Sequence, residues 1–188
     1  MKRALWFGIV SGSLMLSLVC FASPDDGQFA VMQASTRLAE QVYLLDADLT
    51  YELSEESINA LHNAVPLTLV LHIEVRHARW YLWDEKIADI NQRYELKYHS
   101  LSERYLLTHL NTGLYESFFR LSTALRAMGK VRALPLLDKP LVNAEQGYSV
   151  RLNSYLDIES LPAPLRPVAY FSKEWRLASE VYVCPLKP

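Results

Sequence analysis

The chain has 188 residues, 51% of them hydrophobic and 21% charged, with 19 Lys+Arg against 21 Asp+Glu for a formal net charge of −2. A dedicated nucleic-acid binder shows a basic footprint, so this balance argues against nucleic acid as a partner. Two cysteines and six glycines leave no material for a multi-cysteine zinc centre or a glycine-rich phosphate cradle.

Lys2 and Arg3 precede an uncharged apolar core from Ala4 to Val19, and Cys20-Phe21-Ala22 follows it. This is the layout of a secretory signal peptide, which predicts cleavage after Ala22 and an exported, periplasmic chain beginning at Ser23. A retained anchor would need about 20 apolar residues to cross the hydrocarbon layer. The core is shorter than that and is diluted by Gly8, Ser11, Gly12, Ser13 and Ser17. A lipoprotein would need a small residue before Cys20, where Val19 stands. Membrane contact is therefore expected only through this segment, and only if it is not cut. Loss of residues 1–22 leaves 17 Lys+Arg against 21 Asp+Glu, a net charge of −4. Cys184 then remains alone and is read as a buried, inert thiol, so stability must come from packing.

Residues 23–40 show no firm period and are expected to form a flexible lead-in to one β-rich domain over 41–188. From Tyr43 to Leu53 every odd position is apolar, while Asp46, Asp48, Thr50 and Glu52 occupy even ones. That alternation predicts a half-buried strand. Ser54-Glu55-Glu56 reads as a helix start, with Ile58, Leu61 and Val65 as the apolar stripe and Pro66 after its end. A long strand from Leu67 to Trp83 is expected next, then a turn at Asp84-Glu85-Lys86. The return strand runs from Ile87 to His99 with Ala88, Ile90, Tyr94, Leu96 and Tyr98 inward. Arg104–Leu110 predicts a further strand, closed by turn residues Asn111-Thr112-Gly113. Phe118, Leu121, Leu125 and Met128 predict a helix over Ser117–Met128 with Gly129 at its C-terminal cap. Strands follow at Val131–Leu136 and Tyr148–Ile158, and Pro162, Pro164 and Pro167 interrupt regular structure. Trp175, Leu177, Val181 and Val183 are read as one face of a closing strand or hairpin. The sum is a mainly β, α+β chain: a single antiparallel sandwich-like domain with two helices.

No catalytic motif emerges. Neither a Gly-x-Ser-x-Gly elbow nor a Ser-x-x-Lys pair occurs, so no catalytic residue is assigned and an enzyme is unsupported. No cofactor is expected. Asp46 and Asp48 share a strand face about 7 Å apart, but a polar strand face needs such residues anyway. His72 and His77 are five apart on one strand and point to opposite faces, and His62, His99 and His109 form no ligand spacing, so no metal site is assigned. The densest aromatic and basic run is Arg76-His77-Ala78-Arg79-Trp80-Tyr81-Leu82-Trp83. Arg76, Arg79, Trp80 and Trp83 are its candidates for gripping a partner, because aromatics beside cations recur at recognition surfaces.

Four segments carry a family likeness. They are Val42–Leu53 (VYLLDADLTYEL) with Ser54-Glu55-Glu56-Ser57, Tyr98–Tyr105 (YHSLSERY), Leu161–Pro167 (LPAPLRP) and Phe171–Glu180 (FSKEWRLASE). Together they resemble a family of uncharacterised exported proteobacterial proteins, the domain of unknown function four-three-nine-zero, also labelled proline-rich signal peptide proteins. The likeness spans roughly Gln41 to Pro185 and brings no catalytic residue with it. It implies a periplasmic address and, through neighbourhood to a membrane sensor kinase, a partner in envelope signalling. The expected function is thus a non-enzymatic binding or accessory domain acting on an envelope protein. The rival readings are a cell-wall or glycan hydrolase using Asp46, Asp48 or Glu52, and a structural protein without a ligand.

Overall fold

The computed structural model describes residues 27–77, 84–143 and 146–187. Two antiparallel sheets organise the chain. The smaller has strand order β1 (Phe29–Ala39), β2 (Val42–Tyr51), β7 (Lys130–Asp138). The larger runs β6 (Tyr115–Phe118), β5 (Arg104–His109), β4 (Glu85–His99), β3 (Leu67–His77), β8 (Tyr148–Leu156), β9 (Tyr182–Pro185). Among the described residues three short helices accompany them: α1 (Glu55–His62), α2 (Leu121–Met128) and α3 (Arg166–Phe171). The β-rich α+β architecture expected from the alternating pattern is present, with one helix more than expected.

The core forms where the alternating faces meet. Tyr43, Leu45, Ala47, Leu49 and Tyr51 of β2 are all buried, as are Leu67, Leu69, Leu71, Ile73 and Val75 of β3 and Val150, Leu152 and Leu156 of β8. The period-2 reading holds for β2 and β8, each of which presents one face to a shared interior, whereas β3 also buries Thr68 and Val70 on its opposite face. A polar bond ties the sheets together. The Tyr51 hydroxyl lies 3.1 Å from Ser154 Oγ, which also donates to the Val70 carbonyl at 2.9 Å. Burial pushes the Tyr51 phenol far above its ordinary value, so it stays a neutral hydrogen-bonding group.

The lead-in expected over residues 23–40 is overturned from Phe29 onward. Phe29–Ala39 is an eleven-residue strand paired along its length with β2. Its register slips between Val31 and Gln33, and this bulge hides the alternation that a sequence reading relies on. Phe29 is buried edge-to-face against Tyr51, with ring centroids 5.0 Å apart.

Three further boundaries differ from expectation. The helix predicted over Ser117–Met128 begins only at Leu121, because Tyr115–Phe118 pairs with β5 as a short strand and Phe118 sits opposite Tyr105. No turn forms at Asp84-Glu85-Lys86: Glu85 pairs with His77 and Lys86 with Arg76, so the ladder continues to that point. The connection itself, residues 78–83, lies outside the described residues, as do Cys20 and the rest of the segment read as a signal peptide. At the C-terminal end, Trp175 and Leu177 are buried but Val181 and Val183 face solvent, while Cys184 turns inward opposite Val150. The short 3-10 turn at Lys173–Trp175 and the bridge between Tyr155 and Ala178 break the phase between the two pairs.

Local chemistry explains the helices. Ser54 caps α1 as expected, its hydroxyl accepting from the Ser57 N–H at 3.2 Å, with Glu55 and Glu56 in the first turn. The proline-rich stretch builds a helix rather than only interrupting structure, since Pro167 occupies the first turn of α3, where its missing N–H costs nothing.

Candidate functional site

The outer face of the large sheet gathers the charged side chains. His72, Glu74 and Arg76 project from β3, and Asp89 and Lys86 come from β4, where a register shift beside Arg76 restores Lys86 to the same face. Arg76 Nε donates to Glu74 at 2.8 Å, Lys86 Nζ to Asp89 at 2.5 Å, and His72 Nε2 lies 2.9 Å from Asp89 and 3.8 Å from Glu74. The Arg76 hydrogen bond holds the Glu74 carboxyl below its ordinary range, and Lys86, then His72, do the same for Asp89.

His72, Glu74 and Asp89 offer three ligand-type atoms within 4.8 Å of one another. The sequence reading missed this grouping because it looked for two histidines on one strand, whereas the cluster crosses from β3 to β4. Both carboxylates are already engaged, Glu74 with the Arg76 guanidinium and Asp89 with the Lys86 ammonium. The cluster is a cross-strand ion-pair network. Of the four recognition candidates, Arg76 belongs to this network, while Arg79, Trp80 and Trp83 lie outside the described residues.

Asp46 and Asp48 lie on the outer face of the small sheet, and each is engaged. Asp46 accepts from the Ala133 N–H at 2.9 Å and from Arg37 at 3.1 Å. Asp48 accepts from Gln33 at 2.5 Å and from Arg132. The Ala133 amide lowers the Asp46 carboxyl and Gln33, then Arg132, lowers that of Asp48, so both stay ionised and committed to neighbours.

A different place offers room for a ligand. Between β2 and α2 a groove of about 500 Å³ is lined by Leu49, Tyr51, Leu121 and Leu125, with Thr50, Glu52, Ser122 and Arg126 as its polar members. Its volume falls in the range of small-ligand and peptide-side-chain sites. Connectivity creates it. Strand β7 pairs with β2 only as far as Asp48↔Lys130, and the Leu49 N–H donates to the Gly129 carbonyl at 2.8 Å. Beyond that point α2 stands where β7 would have continued. Its Ala124 and Met128 are buried in the core, and its Leu121 and Leu125 are left half-buried along the groove. The sequence marks Leu121 and Leu125 as a core stripe, and Glu52 as a strand-face carboxylate and a candidate acid of the hydrolase reading. Only the early end of β7 makes them neighbours. Arg126 carried no signal at all.

The sequence profile of the family described as a domain of unknown function, DUF4390, matches residues 26–185. No curated protein and no solved structure matches the chain.

Proposed function

The chain belongs to the DUF4390 family, and from that premise we propose that it is a non-enzymatic binding or accessory domain of the bacterial envelope, exported to the periplasm. The observation that carries this reading is the β2–α2 groove, whose apolar floor and mixed polar rim suit recognition of a partner. Among the described residues that line the groove Glu52 is the one carboxylate, whereas acid–base hydrolysis calls for two acids converging on a substrate. The other acids of the hydrolase reading, Asp46 and Asp48, are tied to Ala133, Arg37, Gln33 and Arg132. The N-terminal segment with Lys2, Arg3 and the apolar run to Val19 supports export. The partner in this reading is an envelope protein, with a membrane sensor kinase as the first to examine.

In-cell photo-crosslinking tests this. A photoreactive amino acid at Ser122, on the groove, is compared with one at Asn153, on the outer face of the large sheet. A discrete adduct to one envelope protein from position 122 supports the reading. Adducts from 153 alone would move the docking surface to the face that holds Arg76. No adduct from either position, together with release of soluble fragments from cell wall by the purified protein, would replace binding with hydrolysis.

A further inference from the structure

The geometry points to a specific occupant for the groove: an extended peptide that adds to the edge of β2 antiparallel to it, placing a carboxylate on Arg126. This rests on the binding reading above and deepens it.

The backbone makes the first part of the argument. In an antiparallel ladder, the N–H and C=O of one residue point to the same side, and successive residues alternate sides. The Glu52 N–H donates to the Gln28 carbonyl at 2.8 Å, which directs Glu52 toward β1. Tyr51, opposite Phe29 in the same register, therefore turns its N–H and C=O the other way, toward the groove. The pairing with β7 has already ended at Asp48, and no backbone bond to Tyr51 arises from α2. A strand edge with an adjacent donor and acceptor is the feature that strand addition uses, with side-chain pockets supplying selectivity. An acyl chain would fill the apolar floor of Leu49, Leu121 and Leu125 but would leave the donor and acceptor unmatched.

Charge supplies the second part. Arg126 is exposed and makes no ion pair among the described residues. It lies three residues before Gly129, whose carbonyl meets Leu49, so it stands toward the Leu49 end of the groove. Glu52 lies toward the other end. A peptide running antiparallel to β2 brings its C-terminal side to Arg126 and its N-terminal side to Glu52, so each charge meets its complement. The parallel orientation reverses both contacts.

Panning a displayed random-peptide library against the purified protein tests this. The selected peptides should alternate apolar and polar residues and carry an acidic residue or free carboxylate at the C-terminal side. A synthetic selected peptide should slow hydrogen exchange of the Tyr51 amide, which donates to a peptide carbonyl, and methylating the peptide nitrogen that donates to the Tyr51 carbonyl should break the added ladder and abolish that protection. Arg126→Glu should weaken the selected peptide about tenfold or more, the size of a lost charge-assisted contact, while Arg126→Lys largely preserves it. Thermal unfolding of both exposed-site variants should match the parent. The inference is overturned if no peptide is enriched, if Arg126→Glu leaves affinity unchanged, or if the Tyr51 amide stays unprotected while laurate binds in its place. A crosslink from Ser122 with no enriched peptide would retain the binding reading and remove this occupant.

Discussion

Ala133 adopts φ 49°, a left-handed conformation unusual for a residue with a side chain, at the point where β7 slips register against β2. The extra residue turns its N–H outward, and Asp46 Oδ1 accepts it. Asp46 therefore caps a bulge, a structural task that accounts for an aspartate in the middle of a strand. Asp46→Ala removes this acceptor and the partner of Arg37, and should lower stability by about 1 kcal/mol. Asp46→Asn keeps an acceptor and should cost less. Urea midpoints compare the two, and equal losses would show that the carboxylate charge, and not the bond to Ala133, is what matters. Among the candidate residues, Asp46 and Asp48 were visible as a polar strand face, but their partners Arg132 and Ala133 lie more than 80 positions away in the chain.

Gly129 shows how one small residue joins two elements. It was expected to cap α2, and its N–H does bond to the Leu125 carbonyl at 3.0 Å, yet its φ is an ordinary −71°. Glycine is required there for a different reason. A Cβ at position 129 would stand 2.2 Å from the Leu49 carbonyl oxygen, so the backbones of β2 and of the α2–β7 junction meet too closely for any side chain. Gly129→Ala should destabilise the protein by about 1–3 kcal/mol, the usual cost of forcing bulk into a close-packed contact. It should also weaken any groove ligand by displacing α2. Thermal unfolding measures the first effect, and an unchanged midpoint would mean that the junction yields freely. The element-level errors have the same origin: β1 and β6 exist because β2 and β5 pair with them, and local periodicity carries no record of a partner strand.

Charge acts on the scale of the whole molecule. The carboxyls of Asp46, Asp48, Glu74 and Asp89 are all lowered in the folded chain, with Ala133, Gln33, Arg76 and Lys86 as the respective leading causes. A carboxyl with a depressed folded value contributes stability that is complete above its unfolded value and is lost as pH falls through the folded one. Both sheets' outer faces should therefore hold from neutral pH down to about 5 and weaken progressively below about 4, near the unfolded range of carboxyls. Urea unfolding at pH 7, 5 and 3 checks this, with the midpoint flat over the first interval and falling over the second. The same series in high salt should be uniformly shallower, because these pairs are at least partly exposed to screening ions. A midpoint unchanged between pH 5 and 3 would deny the two networks any share in stability.

By itself, the sequence determined the fold class, the inward faces of β2, β3 and β8, the Ser54 cap and the burial of Cys184. Each of these is written in residues adjacent or periodic along the chain, where alternation and capping act locally. It also carried the family likeness, which covers nearly the whole described domain. Only the tertiary structure decided which strands pair, that His72 faces Glu74 and Asp89, and that the ladder between β2 and β7 stops at Asp48. Pairing and register depend on contacts between distant segments, and a strand's side chains do not name the strand beside it. The groove follows from that stop, because a strand edge acquires a site only where its neighbour ends and a helix takes its place.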